Sequence, residues 1–418
     1  MQELQKSKES ESDEKDTIGE EIPRREDVAL LTGNATFTDD YADEELSYLA
    51  FVRSDVAHAD IDRINTENAQ SIEGVIAVYT WTDIESTDIP GEIPISTGAL
   101  DHDVPGHPIL ARDRVRYQGQ PIAAVIAEDR YVAHDGAQAV EISYDNRPAI
   151  VDPNEAQKDS SPILYDEVPN NVIATKELGD KEKTDQAFDT ASNIVQVDLQ
   201  NNRLIPNALE PRAALAEYDS ADDELTVTMT SQSPHGHRRK LSHTLGMPEQ
   251  KIRVVSPSVG GGFGHKGHHH PGEAMASFGA IDLDRPVKWT ATRSENYVAG
   301  AHGRDHLTHA ELAVDDDGNI QGLRVETDAN VGGYSIGGSA AMPGWYGRLL
   351  ANQYDIPAIY CNTRSVFTNK TPTHSYRGAG RPEAIYVTER LIKKAADELG
   401  YDPVEFRRQN LIDADAFP

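Results

Sequence analysis

Residues 259–267 read Val-Gly-Gly-Gly-Phe-Gly-His-Lys-Gly, with four glycines inside the five positions 260–264. The stretch before them, 251–256, is rich in β-branched residues and predicts a strand. Glycine takes φ > 0 at little steric cost. With no side chain it also lets backbone N–H groups approach an anion or a flat cofactor. The chain is therefore expected to leave a strand through a sharp turn and to cradle something with its main chain. Gly262, Gly264 and Gly267 formally satisfy the G-x-G-x-x-G dinucleotide fingerprint. That reading needs a helix opening directly at the loop, whereas His268, His269, His270, Pro271 and Gly272 intervene. A nicotinamide-dependent dehydrogenase is the weaker alternative, and a turn without a ligand is a third reading.

A second glycine turn, Ser375-Tyr-Arg-Gly-Ala-Gly-Arg-Pro-Glu383, precedes a helical pattern over 382–399. Backbone amides at a helix start suit anions. Arg377 and Arg381 add planar guanidinium forks suited to phosphate or oxo groups. Gln232, after a strand predicted over 225–230, carries a neutral amide that can donate to an oxo ligand without changing the local charge.

The rest of the chain reads as mixed strands and helices without βαβ alternation, an α+β class. Strands are expected at 46–52, 75–79, 121–127, 141–144, 193–199, 225–230, 251–256, 287–292 and 322–328. The run 121–127 is wholly apolar, as in a buried strand. Asp129 is placed to cap a helix through Ala133, Ala137 and Val140, and Gly400 to end the helix of 382–399. Asp402, Pro403 and Glu405 open another helix. Asp315-Asp-Asp-Gly318 reads as a hairpin turn rather than a calcium loop.

Residues 1–27 hold ten acidic and five basic residues and predict a solvated arm. Residues 28–150 form a first folded unit, 151–164 a linker and 165–418 a second unit. The 418 residues carry 39 Lys and Arg against 70 Asp and Glu, a formal charge of −31. A phosphate backbone would be repelled, so nucleic acid is excluded as a partner. The carboxylates are dispersed and lysine is scarce, a balance suited to hydration in concentrated salt, and a halophilic cytoplasm is expected. No leader and no membrane-length apolar run is visible. With Cys361 as the single cysteine, the chain can form no internal disulfide and hold no four-cysteine cluster. His265, His268, His269 and His270 lack metal-ligand spacing and are expected on a solvent-facing loop or channel rim. His235-Gly-His-Arg-Arg-Lys240 is a short basic patch, suited to a cofactor pyrophosphate, an acidic partner or an exposed helix start.

Taken in order, Arg116–Glu128, Leu209-Glu-Pro-Arg212, Gln232, the loop 260–264 and the segment 376–383 resemble one family. It is the molybdenum-binding subunit of the xanthine dehydrogenase, aldehyde oxidase and carbon monoxide dehydrogenase group. The resemblance implies an N-terminal α/β hammerhead domain followed by the first part of a molybdopterin-binding α+β domain. It assigns to Gln232 a hydrogen bond to a molybdenum oxo ligand. It packs the backbone of Gly261, Gly262, Phe263 and Gly264 against the metal and pterin. Arg377, Gly378, Ala379, Gly380 and Arg381 border the metal on the substrate side. Gln232, Phe263 and Arg377 are the residues expected closest to the chemistry. The metal itself is held by the pterin dithiolene, so no residue of this chain is a metal ligand.

The implied reaction is hydroxylation of an aldehyde or N-heterocycle with water-derived oxygen. The implied cofactor is a molybdenum-pterin, in its cytosine dinucleotide form, with iron–sulfur and FAD centres on partner subunits. Three departures narrow this. Gly378 stands where copper–molybdenum enzymes carry a cysteine, which argues against carbon monoxide. Gly267 stands where xanthine dehydrogenases carry a substrate-binding Glu, which argues against purines. The family's general-base Glu lies in a C-terminal half absent from this chain. The chain is thus expected to need a polypeptide carrying that half and to be inactive alone. The competing reading is a truncated, non-catalytic remnant or partner-binding chain.

Overall fold

In the computed structural model, which describes residues 18–42 and 45–416, Pro121–Ala127 is a strand with every residue buried. It pairs antiparallel with Ser47–Arg53 and with Val75–Tyr79. The sheet continues through Val287–Thr290, which runs parallel to Ser47–Arg53, then Ala213–Asp219, Glu224–Met229 and Ile252–Val255. Seven strands drawn from both sides of 151–164 thus share one sheet. The helix Pro271–Leu283 packs on it and is buried on every side from Pro271 to Ala280. Such a helix has no polar face to show to water. Gly272 and Gly279 admit Trp289 and Ile126, whose side chains occupy the space a Cβ would need.

A second sheet has five strands in the order Asn193–Asn201, His306–Val314, Ile320–Gly332, Ile359–Phe367 and Val172–Gly179. Only Ile320–Gly332 and Ile359–Phe367 are parallel. The helix Arg381–Leu399 lies on one face and buries Ala384, Val387, Leu391, Ile392 and Ala395, the stripe read from its 3.6-residue period. The opposite face carries Asp198, His309, Glu326, Asp328 and Arg364 around an open cleft. A mostly antiparallel sheet tolerates one such polar face. Cys361 points into the apolar side and is fully buried.

The local signals act as their chemistry dictates. Asp129 accepts from the N–H groups of Tyr131 and Val132, and Asp402 from those of Val404 and Glu405. Gly400 is left-handed with φ 78°. Residues 315–318 turn between the antiparallel strands His306–Val314 and Ile320–Gly332, where the Gly318 N–H donates to Asp315 O. The segment 151–164 is held in place: Asn171 donates to Ala156 O and Pro162 O and accepts from Leu164 N. The described residues from 37 onward form one compact unit and those before 37 another. The latter includes the short helix Asp27–Thr32, none of whose residues is buried. Of the expected acidic arm, residues 1–17 lie outside the described residues, as do 417 and 418.

Candidate functional site

Gln232 follows the strand Glu224–Met229 by three residues, and its main chain is tied down where its N–H donates to Lys266 O at 2.9 Å. Its side-chain Oε1 accepts from Gly264 N at 2.9 Å and from Lys266 N at 3.3 Å. Two backbone donors on one oxygen fix the orientation of the amide. The Nε2 end is therefore turned away from the loop, exposed, with no hydrogen-bond partner among the described residues. A Cβ on Gly262 would collide with this amide, so a side chain there would push the Gln232 amide from its place.

The turn itself needs left-handed backbone. Gly261, Phe263 and Gly264 have φ 93°, 54° and 96°. The value at Phe263 is unusual for an aromatic residue. It leaves the ring 40% exposed, over Gly261. A Cβ on Gly264 would strike the carbonyl oxygen of Ser375, the first residue of the second glycine turn. There Arg377 N–H donates to Phe263 O at 2.9 Å, and the Arg377 guanidinium carbon lies 5.7 Å from the Phe263 ring centroid. Gly378, Ala379 and Gly380 follow with φ 98°, 34° and 87°. Arg381 Nη1 donates back to Gly378 O at 3.3 Å. Gln232, the loop 261–264 and the turn 375–381 are thus joined by direct contacts, although up to 149 residues separate them in sequence.

Buried charges brace both turns from behind. Arg212, 2% exposed, donates to His265 O and His268 O and pairs with the fully buried Glu273. Glu273 Oε2 in turn accepts from His270 N. Lys266, fully buried, reaches Glu210 at 2.8 Å, and the same carboxylate oxygen accepts from Gly260 N. Burial pushes the Lys266 ammonium down from its ordinary value, and Glu210 opposes that shift. Arg304, 8% exposed, donates to Tyr376 O, Arg377 O and Glu383 Oε1. Arg304 carries no motif signal, and Glu383 stands only as the last residue of the second glycine turn. Glu273 is marked only as an acid in the first turn of a helix.

The histidines correct an expectation. His265, His268, His269 and His270 are all buried rather than on a solvent-facing loop or rim. The core helix that starts at Pro271 carries them inward, and Arg212 holds their carbonyls. His265 bonds Asn296 Oδ1 and Ala301 O. The His268 and His374 rings stack with centroids 3.5 Å apart. His237 in the helix Pro234–Leu245 meets His269 and Lys266 O. Burial, then the Arg212 charge, pushes His265 down to about 4 and His237 to about 3. Burial first, then neighbouring charges, holds His268, His269 and His270 well below 6.5. Among the described residues no group of three or more His, Cys, Asp or Glu side chains is placed to hold a metal ion. Nor does Gly267 open a helix on a free N-terminus. The next helix begins at Pro271, and its first-turn Glu273 already caps it.

The Gln232 amide nitrogen and the Arg377 guanidinium, without hydrogen-bond partners among the described residues, are donors that fit an oxygen-rich ligand beside the strained Phe263. Residues 164–411 match the molybdopterin cofactor-binding domain, and residues 32–148 the a/b hammerhead domain of aldehyde oxidase and xanthine dehydrogenase. The chain is 35% identical over 409 residues to the carbon monoxide dehydrogenase large chain of Hydrogenophaga pseudoflava, covering 94% of this chain and 50% of that one. The structure of quinoline 2-oxidoreductase from Pseudomonas putida superposes with a TM-score of 0.90 at 30% identity, over 97% of this chain and 51% of that one. The nicotinate dehydrogenase large molybdopterin subunit of Eubacterium barkeri is 26% identical over 393 residues, 94% of this chain and 89% of that subunit. The chain thus spans about half the length of the first two and most of the third. It belongs to the aldehyde oxidase and xanthine dehydrogenase family, as the hammerhead and molybdopterin-binding part of the molybdenum-binding subunit.

Proposed function

We propose that this chain is part of the catalytic subunit of a cytoplasmic molybdenum hydroxylase that oxidises an aldehyde or N-heterocycle with water-derived oxygen. Its portions are a hammerhead at 28–150, a connection at 151–164 and a cofactor-binding part at 165–418. One observation carries the reading: Gln232 is bonded to the loop at Gly264, next to Phe263, and Arg377 is bonded to Phe263 itself, with the Gln232 and Arg377 side-chain donors unpaired among the described residues. When bound, the molybdenum-pterin cofactor, taken as the cytosine dinucleotide form, supplies the two-electron oxidation.

The chain's own residues position and polarise. Gln232 Nε2 donates to an oxo group while Oε1 stays anchored to Gly264 and Lys266. Neutral donation keeps the local charge unchanged while still favouring developing negative charge. The backbone of Gly261, Gly262 and Gly264 permits close approach. Arg377, fixed to Phe263, presents a guanidinium on the substrate side, with Gly378, Ala379, Gly380 and Arg381 completing that wall.

Gly378 supplies no thiolate for copper. Cys361 lies in the core, where burial pushes its thiol up to about 12, so carbon monoxide is a poor candidate substrate. The lack of a carboxylate at Gly267 disfavours purines. The remaining half of the catalytic subunit supplies the general-base Glu. Iron–sulfur and FAD subunits take the electrons. The test is co-expression with the reading frame that follows and with the electron-transfer subunits. Oxidation of aldehydes or N-heterocycles that depends on that frame is expected. Activity of the single chain, or none in the full assembly, would contradict it.

A further inference from the structure

The two glycine turns are held from behind by the same device. Arg212 donates to the carbonyls of His265 and His268 and pairs with Glu273. Arg304 donates to the carbonyls of Tyr376 and Arg377 and pairs with Glu383 at 2.8 Å. Each acid is the third residue of the helix that follows its turn. We propose that Arg304, braced by Glu383, is a positioning residue. It draws the Tyr376 and Arg377 carbonyls inward and so aims the Gly378 N–H outward, as a donor to a negatively charged oxygen of the ligand held there. The ligand's identity rests on the function proposed above.

The geometry follows from trans peptides, in which C=O and the next N–H point opposite ways. The Arg377 N–H, opposite the Tyr376 carbonyl, donates to Phe263 O. The Gly378 N–H, opposite the Arg377 carbonyl, likewise faces away from Arg304 and has no protein partner among the described residues. Gly378 is exposed, whereas Arg304 is buried. The bend that delivers Arg304 is itself strained. Arg304 and Asp305 have φ 66° and 69°, a left-handed pair that non-glycine residues adopt only when their surroundings enforce it. Arg203 and Lys370 hold the Asp305 carboxylate at 2.8 and 3.2 Å. Gly303 lies where a Cβ would meet Tyr376. A lysine could not replace this planar fork, which reaches two carbonyls and a carboxylate at once.

The chain is compared as wild type, Arg304→Lys, Arg304→Met, and Arg304→Met with Glu383→Leu. The readouts are thermal melting and hydrogen exchange resolved over 375–381. Arg304→Met strands a buried carboxylate and is expected to lower the melting temperature, which the apolar double variant recovers. The N–H groups of Arg377 and Ala379 are expected to exchange at least tenfold faster in all three variants, the double variant included. In the cofactor-loaded assembly Arg304→Lys is expected to keep its molybdenum and lose at least tenfold in kcat at unchanged KM. Three outcomes overturn the proposal: unchanged exchange in Arg304→Lys, recovery of both melting and exchange protection in the double variant, or parallel loss of metal and activity in Arg304→Lys. Exchange is read on the chain without cofactor. A chain that takes up no molybdopterin therefore counts against the proposed function and leaves the positioning result to be judged separately.

Discussion

Gln232 and Gly264 meet through a 2.9 Å hydrogen bond in which the backbone donates and the side-chain oxygen accepts. The bond decides which end of the amide faces outward. Replacing Gln232 by Ala removes both the anchor and the outward donor. In the complete enzyme kcat is expected to fall about a hundredfold, the scale for losing one preorganised donor. Gln232→Glu keeps the anchoring oxygen but substitutes an acceptor for the outward donor. It should lose as much activity while melting within about 1 kcal/mol of wild type. Steady-state kinetics beside thermal melts check this. Full activity in Gln232→Glu would contradict the donor role.

Gly264 and Gly267 are three residues apart and are expected to respond very differently to alanine. Gly264 has φ 96° and abuts Ser375 O, whereas a Cβ on Gly267 meets nothing within 4 Å. Gly264→Ala should cost about 1–3 kcal/mol and separate the two turns. Gly267→Ala should stay within about 0.5 kcal/mol. Denaturant unfolding of the two variants measures the contrast directly.

The buried histidines set a pH window. In the unfolded chain each ring takes a proton near 6.5, whereas in the fold burial keeps His265 neutral to about 4, and His237 and His374 to about 3. Below pH 6.5 the unfolded state binds more protons, so stability falls with pH. It is complete above 6.5 and declines as pH drops toward 4 and then 3. Each neutral ring costs about 1.4 kcal/mol per pH unit in that window. Melting curves from pH 7.5 to 4.5 should move steadily downward below 6.5. A flat profile between 6.5 and 5 would contradict the burial of these rings.

A formal charge of −31 spread along the chain predicts a salt response. Salt shortens the Debye length to about 3 Å at 1 M, which screens self-repulsion of the compact state. The melting temperature is expected to rise between 0.1 and 2 M potassium chloride. A fall would argue against the halophilic reading.

Elements with strong local signals were legible in the sequence. The apolar run Pro121–Ala127, the caps Asp129 and Asp402 and the stripe of Arg381–Leu399 act locally, and all lie where their patterns put them. The strands Ala213–Asp219, His306–Val314 and Ile359–Phe367 escaped notice because their mixed polar and apolar residues take order from their neighbours in the sheet. At the site, glycine runs and one glutamine stood out because few residues can replace them. Arg212 and Glu383 lay within quoted motifs, but their partners Glu273 and Arg304 and the pairings did not show, because Arg212 and Glu273 lie 61 positions apart and Arg304 and Glu383 lie 79 apart. The histidines were misplaced for a related reason. A polar run looks exposed until the buried helix behind it is known.

Metal analysis of this chain, purified together with the polypeptide encoded by the following reading frame, tests the central claim most directly. The account predicts about one molybdenum per chain, lost together with the released pterin when Gly264 is replaced by alanine. A folded, stoichiometric complex containing neither molybdenum nor pterin would contradict it.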